Sequence, residues 1–159
     1  MSTCIFPGRF QPFHEGHLMV VQGMVKSCGN ACIVICDEGK AGADAPFTVE
    51  QRREMISAAL LAKDIMDATI VVVKDGGEDA QWAHRVLDEC GNPEGATVWS
   101  GREEVRALFE GMGVATKKVV PVPGISSETI REQMVANNPE FRKHIPSGAI
   151  DVVMDAIKK

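Results

Sequence analysis

Residues 8–17 read Gly8-Arg9-Phe10-Gln11-Pro12-Phe13-His14-Glu15-Gly16-His17, a set of side chains that neither a core strand nor an ordinary surface loop would choose. His14 and His17 are three apart, so both imidazoles can face one point if a helix starts between them. Gly8 lets backbone come close to a ligand, Pro12 stiffens the turn, and Gly16 removes a side chain where an anion could approach the positive end of the helix dipole. Two imidazoles, the Arg9 guanidinium and free N–H groups together make a phosphate site. A second set lies at Ser126-Ser127 with Arg131 one turn on. There a serine N-cap, hydroxyls and a guanidinium converge as anion binding demands. The dinucleotide spacing Gly-x-Gly-x-x-Gly is absent, and no Gly-Lys-Ser/Thr follows to make a P-loop. A zinc site on His14 and His17 would need a third ligand, and none lies at a telling distance.

The elements that must position these residues alternate between strand-like and helix-like. Residues 4–8 (CIFPG), 31–36 (ACIVIC), 68–73 (ATIVVV), 96–101 (ATVWSG) and 117–123 (KKVVPVP) read as strands. Helices are predicted over Gly16–Ser27, from Thr48 through MISAALLA, over Asp79–Cys90 and Glu103–Gly111, from Ser126 or Ser127 through Val135, and over Gly148–Lys159. Thr48 and Gln51 have capping-box spacing. Strands that are apolar on both faces, each followed by a helix, require a parallel sheet covered by helices. The expectation is one α/β domain over residues 1–159, doubly wound and Rossmann-like, with about five parallel strands. In such sheets ligands sit at the carboxyl ends of the strands, where 8–17 falls.

Composition narrows the classes. The chain has 159 residues, 45% of them hydrophobic, and a net charge of -5. One sizeable core is affordable, and no generalised pull on nucleic acid exists beyond the short pair Lys117-Lys118. No apolar run is long enough to span a membrane and no secretory signal opens the chain, so a cytoplasmic protein is expected. Five cysteines (Cys4, Cys28, Cys32, Cys36, Cys90) show no Cys-x-x-Cys spacing, and they read as reduced, buried small hydrophobes.

His14-Glu15-Gly16-His17 matches the His-x-Gly-His signature of the nucleotidyltransferase superfamily. The whole stretch from Gly8 to His17 resembles the archaeal-type nicotinamide mononucleotide adenylyltransferases. The resemblance continues through PFTVEQRREM (46–55), DGGEDAQW (75–82), VWSGREEVRALF (98–109) and ISSETIREQM (125–134). It implies that Gly8, Arg9, Phe10, His14, His17, Ser100, Gly101, Ile125, Ser126, Ser127 and Arg131 bind the nucleotide, with His14, His17, Arg9 and Arg131 catalytic. It places Cys36, Asp37, Arg52, Asp79 and Trp82 on the acceptor, Trp82 by stacking on nicotinamide. Mg²⁺ would be bound mainly through the triphosphate, with no dedicated protein metal site. The partners implied are a nucleoside triphosphate and a small phosphorylated acceptor, with neither nucleic acid nor membrane, and the resemblance suggests a homo-oligomer.

Departures from the family pattern concern the acceptor. Ile35-Cys36-Asp37-Glu38 replaces Gly-Ser-Ala-Gln, Asp79 replaces asparagine, Arg102 follows Ser100-Gly101 in place of asparagine, and Glu128 replaces threonine. The added carboxylates Asp37 and Glu38 suit an acceptor bearing hydroxyls, a cation or a bound metal. Adenylyl transfer from ATP to nicotinamide mononucleotide or a close relative is the leading expectation. A CTP-dependent cytidylyltransferase acting on a small phosphate or phosphonate is the alternative, and a non-catalytic nucleotide sensor is a third. Trp82 and Arg52 also have structural readings, as a cover for the sheet and a solvated helix-start charge.

Overall fold

The computed structural model describes residues 2–39 and 41–158. Its strands are β1 (Ser2–Gly8), β2 (Gly29–Asp37), β3 (Ala68–Lys74), β4 (Thr97–Ser100) and β5 (Ala115–Lys118). Its helices are α1 (Glu15–Cys28), α2 (Val49–Ala62), α3 (Asp79–Glu89), α4 (Glu103–Glu110), α5 (Ser127–Val135) and α6 (Ala149–Ile157), with a 3-10 turn at Pro139–His144. The chain divides into two compact units. One holds the five strands, α3, α4 and α1 from Val20 onward. The other holds the segment Arg9–Met19, α2, α5, the 3-10 turn and α6.

In the sheet unit the strand order is β3-β2-β1-β4-β5, with every pairing parallel. Ala31 to Cys36 are all buried, as a central strand covered on both faces must be. Ile5, Val34, Val73, Val86, Val98 and Phe109 form the core of one face. β1 pairs with β2 on one side and β4 on the other, so the winding direction reverses between β1 and β4. Their carboxyl ends, Gly8 and Ser100, flank the switch point where ligands of such sheets bind.

Two expectations are corrected here. The fifth strand lies at Ala115–Lys118, earlier than 117–123, because Pro121 and Pro123 cannot donate to a ladder and the pairing with β4 ends at Ser100–Lys118. The cysteines are not all reduced thiols: Cys4 is joined to Cys28 and Cys32 to Cys90. Folding brings each pair's Cα atoms to 5.9 and 6.2 Å, across 24 and 58 residues, within ordinary disulfide reach. Cys36 stays outside both bonds, buried in β2.

In the second unit α2 opens with the expected capping box. The Gln51 N–H donates to Thr48 Oγ1 at 3.1 Å, and the Thr48 N–H donates to Gln51 Oε1 at 2.9 Å. The 3-10 turn was not expected, although Asn138-Pro139 signals it: the Asn138 side chain accepts from the Glu140 N–H at 3.1 Å. α6 begins against α2 at Gly148, whose φ is +88° and whose missing Cβ would lie 2.6 Å from the Ala58 carbonyl oxygen. Gly148→Ala therefore combines a left-handed backbone with a clash against main chain, and should cost about 2–3 kcal/mol. A lower urea midpoint with an unchanged slope would register it. Among the described residues, no helix is long and apolar enough to cross a membrane.

Candidate active site

The candidate phosphate turn lies in the second unit, where α1 begins. The Leu18 N–H donates to the His14 carbonyl at 3.1 Å, which makes His14 the N-cap and His17 the third helical residue. The His17 N–H donates to His14 Nδ1 at 3.3 Å, and the His14 N–H donates to His17 Nδ1 at 3.1 Å. This is a capping box built from two imidazoles rather than from a hydroxyl and a carboxylate. The rings stack with centroids 3.6 Å apart and planes 17° apart. Because each Nδ1 accepts a backbone proton, each neutral ring must carry its own proton on Nε2. The local fold thus sets the tautomer, with the donor of each ring on Nε2. Phe10 meets the His17 ring edge-on at 4.9 Å, and Phe13 stacks on it at 5.5 Å.

Gly16 has a physical reason that its place in the sequence did not disclose. A Cβ there would lie 2.9 Å from His14 Cε1 and 3.0 Å from His14 Nδ1. The glycine makes room for the histidine ring, beside any room it makes for an anion.

Burial first, and His144 second, lower the His14 pKa from 6.5 to about 4. Burial first, and then His14, hold His17 well below its ordinary value. Both rings are therefore neutral at pH 7. The unfolded chain takes up the His14 proton near pH 6.5 and the folded one only near pH 4, so the unfolded state binds more protons in between. Stability should be full above pH 6.5 and fall by about 2–3 kcal/mol as pH drops through 4. Urea midpoints at pH 7 and pH 4 would measure it.

The turn before the histidines is tied down from several sides. Arg52 Nη1 donates to the Arg9 carbonyl at 2.9 Å, and its Nε donates to the Thr48 carbonyl at 3.2 Å. Arg131 Nη1 donates to the Gln11 carbonyl at 2.8 Å, and Ser127 Oγ donates to the Pro12 carbonyl at 3.0 Å. The Gln11 amide donates to the Phe47 carbonyl and accepts from the Phe47 N–H, both at 2.9 Å. Arg52 is only 2% exposed, so it is not the solvated charge that its helix-start position allowed. Ser126 caps α5, its Oγ accepting from the Thr129 N–H at 3.1 Å. Arg9 is exposed, Ile125 half-buried, and Glu128 exposed in the first turn of α5. Phe10 holds a φ of +54° while buried, a conformation that a bulky residue keeps only where its surroundings over-determine it.

The remaining expected site residues belong to the sheet unit. Ser100 is buried; its Oγ accepts from the Arg102 N–H at 3.1 Å, and its carbonyl accepts from Arg106 Nη1 at 2.9 Å. Gly101 follows where a Cβ would come within 3.2 Å of the Val119 carbonyl oxygen. Arg102, the family's asparagine position, pairs with Glu104 at 2.7 Å on the surface. Asp37 Oδ1 accepts from the Gly39 N–H at 2.9 Å, so this added carboxylate shapes the turn that leaves β2. Asp79 is exposed at the start of α3. Trp82 is half-buried on the core cluster, with its ring 5.8 Å from Phe109. Its placement matches the sheet-covering reading, and its buried Nε1 has no hydrogen-bond partner among the described residues. Gln11, Phe13 and Arg106 drew no role from the sequence, although Gln11 and Phe13 stand inside the stretch that did.

A family model for cytidylyltransferase-like proteins matches residues 5–133. The chain belongs to the cytidylyltransferase-like family. Among its curated relatives is a nicotinamide-nucleotide adenylyltransferase of Methanococcus aeolicus, 32% identical over 149 residues, which cover 92% of this chain and 84% of that one. The enzyme of the same name from Thermoplasma acidophilum is 29% identical over 149 residues, covering 92% and 82%. Of the solved structures, a bifunctional NMN adenylyltransferase/ADP ribose pyrophosphatase from Francisella tularensis, complexed with AMP and a manganese ion, gives a TM-score of 0.77 at 19% identity. That likeness covers 99% of this chain but 51% of the other, so this cytidylyltransferase-like chain spans about half of the bifunctional protein and shares its fold.

Proposed function

We propose that this chain transfers an adenylyl group from ATP to nicotinamide mononucleotide and releases pyrophosphate. The observation that carries the reading is the reciprocal imidazole pair at the start of α1. It holds two neutral rings, each protonated on Nε2, at a helix N-terminus, an arrangement suited to a polyphosphate. The names of the relatives supply the substrates.

An oxygen of the acceptor phosphate attacks the α-phosphorus of ATP, and the bond from that phosphorus to the α,β-bridging oxygen breaks. The acceptor oxygen is already anionic near pH 7, so no general base is needed, and catalysis reduces to alignment and charge stabilisation. His14 and His17 donate to the triphosphate, Arg9 and Arg131 neutralise its oxygens, and the first N–H groups of α5 beside Ser126 and Ser127 add to the cradle. Gly8, Phe10, Ile125, Ser100 and Gly101 complete nucleotide binding. Cys36, Asp37, Arg52, Asp79 and Trp82 are assigned to the acceptor side. For Arg52 the support is closeness to the turn, since its guanidinium bonds the Arg9 carbonyl.

Among the described residues, no group of three or more His, Cys, Asp or Glu is gathered to hold a metal. Mg²⁺ arriving on the triphosphate is the proposed metal, and it would neutralise charge on the leaving pyrophosphate. The catalytic domain is taken as residues 1–159, a reading supported by the family match over 5–133. The proposed compartment is the cytoplasm, with other copies of the chain as the proposed protein partner.

The test incubates pure protein with Mg²⁺, each of the four nucleoside triphosphates and a panel of phosphorylated acceptors, and measures pyrophosphate release. Release with ATP and nicotinamide mononucleotide is expected. Release only with CTP would replace the reading by cytidylyl transfer, and no release with any pair would leave a nucleotide sensor.

A further inference from the structure

We infer that Gln11, which touches no substrate in the reading above, is a positioning residue for the transfer step. The inference rests on that reading. Gln11 is 2% exposed. Its side chain makes a two-bond clamp on the main chain of Phe47, with both bonds at 2.9 Å and 36 residues of chain between the partners. Its own carbonyl accepts from Arg131 Nη1 at 2.8 Å. One residue therefore joins three segments: the turn leading to His14 and His17, the Phe47-Thr48 step that opens α2 and carries Arg52, and α5 through Arg131.

A carboxamide is the side chain that this place requires. It offers one donor and one acceptor to one residue's carbonyl and N–H, as a neighbouring strand would, and it adds no charge beside Arg52 and Arg131. Arg52 makes a second strut alongside it, bonding the carbonyls of Arg9 and Thr48. Side chains thus zip residues 9–11 to residues 47–48. If the clamp fails, the triphosphate keeps its donors, but the α2 side of the unit loses its register with them. An alignment error on the scale of 1 Å reaches the chemical step rather than ground-state binding.

Gln11→Leu removes both bonds at similar length, and Gln11→Glu keeps the acceptor for the Phe47 N–H. When ionised, the introduced carboxyl faces the Phe47 carbonyl with a second oxygen. When protonated, it restores the donor. Steady-state kinetics with ATP and nicotinamide mononucleotide should show Gln11→Leu lowering kcat by about 10–100-fold while the ATP KM changes less than about threefold. For Gln11→Glu, the ratio of its kcat to that of the wild type should rise as pH is lowered, with Arg52 and Arg131 as the cations beside the clamp. A purely structural role would lower the amount of folded protein without that kcat–KM split or pH dependence. An active wild type with both variants at wild-type kcat, or with losses confined to KM, overturns the inference alone. A wild type that releases no pyrophosphate removes the functional reading and the inference with it.

Discussion

Replacing His17 with alanine is expected to lower turnover by roughly a hundredfold or more, the range for losing one stabilising donor to developing charge. Two losses combine in that variant. The Nε2–H donor disappears, and so does the acceptor for the His14 N–H, which sits 3.1 Å from His17 Nδ1. The second loss is a cap, worth about 1 kcal/mol of stability. The two can be separated with His17→Gln, whose amide can accept the same N–H as the third residue of an ordinary capping box. It should recover the melting temperature of the wild type but not its kcat. Near-wild-type turnover in His17→Ala would remove the ring from the chemistry.

Gly16→Ala should be almost as damaging to activity while leaving the fold intact. The added methyl would sit 2.9 Å from His14 Cε1, so the imidazole must leave its place and give up the bond from the His17 N–H. A displacement of that kind costs about a hundredfold in rate when the group is aligned for reaction. Alanine is also a better helix former than glycine by about 1 kcal/mol, which offsets the about 1 kcal/mol of the lost cap bond, so the melting temperature should hold. A fall in kcat with no fall in stability identifies the clash. Unchanged turnover would show that the ring has somewhere else to go.

The sequence made the sheet legible because its strands are apolar on both faces and spaced by helix-length segments, a pattern with few parallel solutions. It also placed the two histidines at a helix start, because a spacing of three has one geometric consequence there. What remained hidden depended on contacts between distant residues. Arg52 can be read as a surface charge until the turn brings the Arg9 carbonyl to it, 43 residues away. The cysteines show no spacing that announces a bond, and only folding brings Cys32 beside Cys90. That Asp37 closes a turn was hidden because it depends on the conformation of Gly39, whose φ is +76°. Gln11 was overlooked because its partners are backbone atoms, which look alike in every sequence. The fifth strand stops at Lys118 and does not run on through Val119, Val120 and Val122, because Pro121 and Pro123 stand between and after them.

The interlocked imidazoles have one more outcome. The nitrogens that begin the first helix are the same ones that decide where each ring keeps its proton, so fraying at that end scrambles the tautomers at once. A molecule with its opening turn undone would fall silent instead of working badly, and the protection of the amides of residues 14 and 17 against hydrogen exchange would report the closed fraction, which caps the share of molecules able to work at any moment.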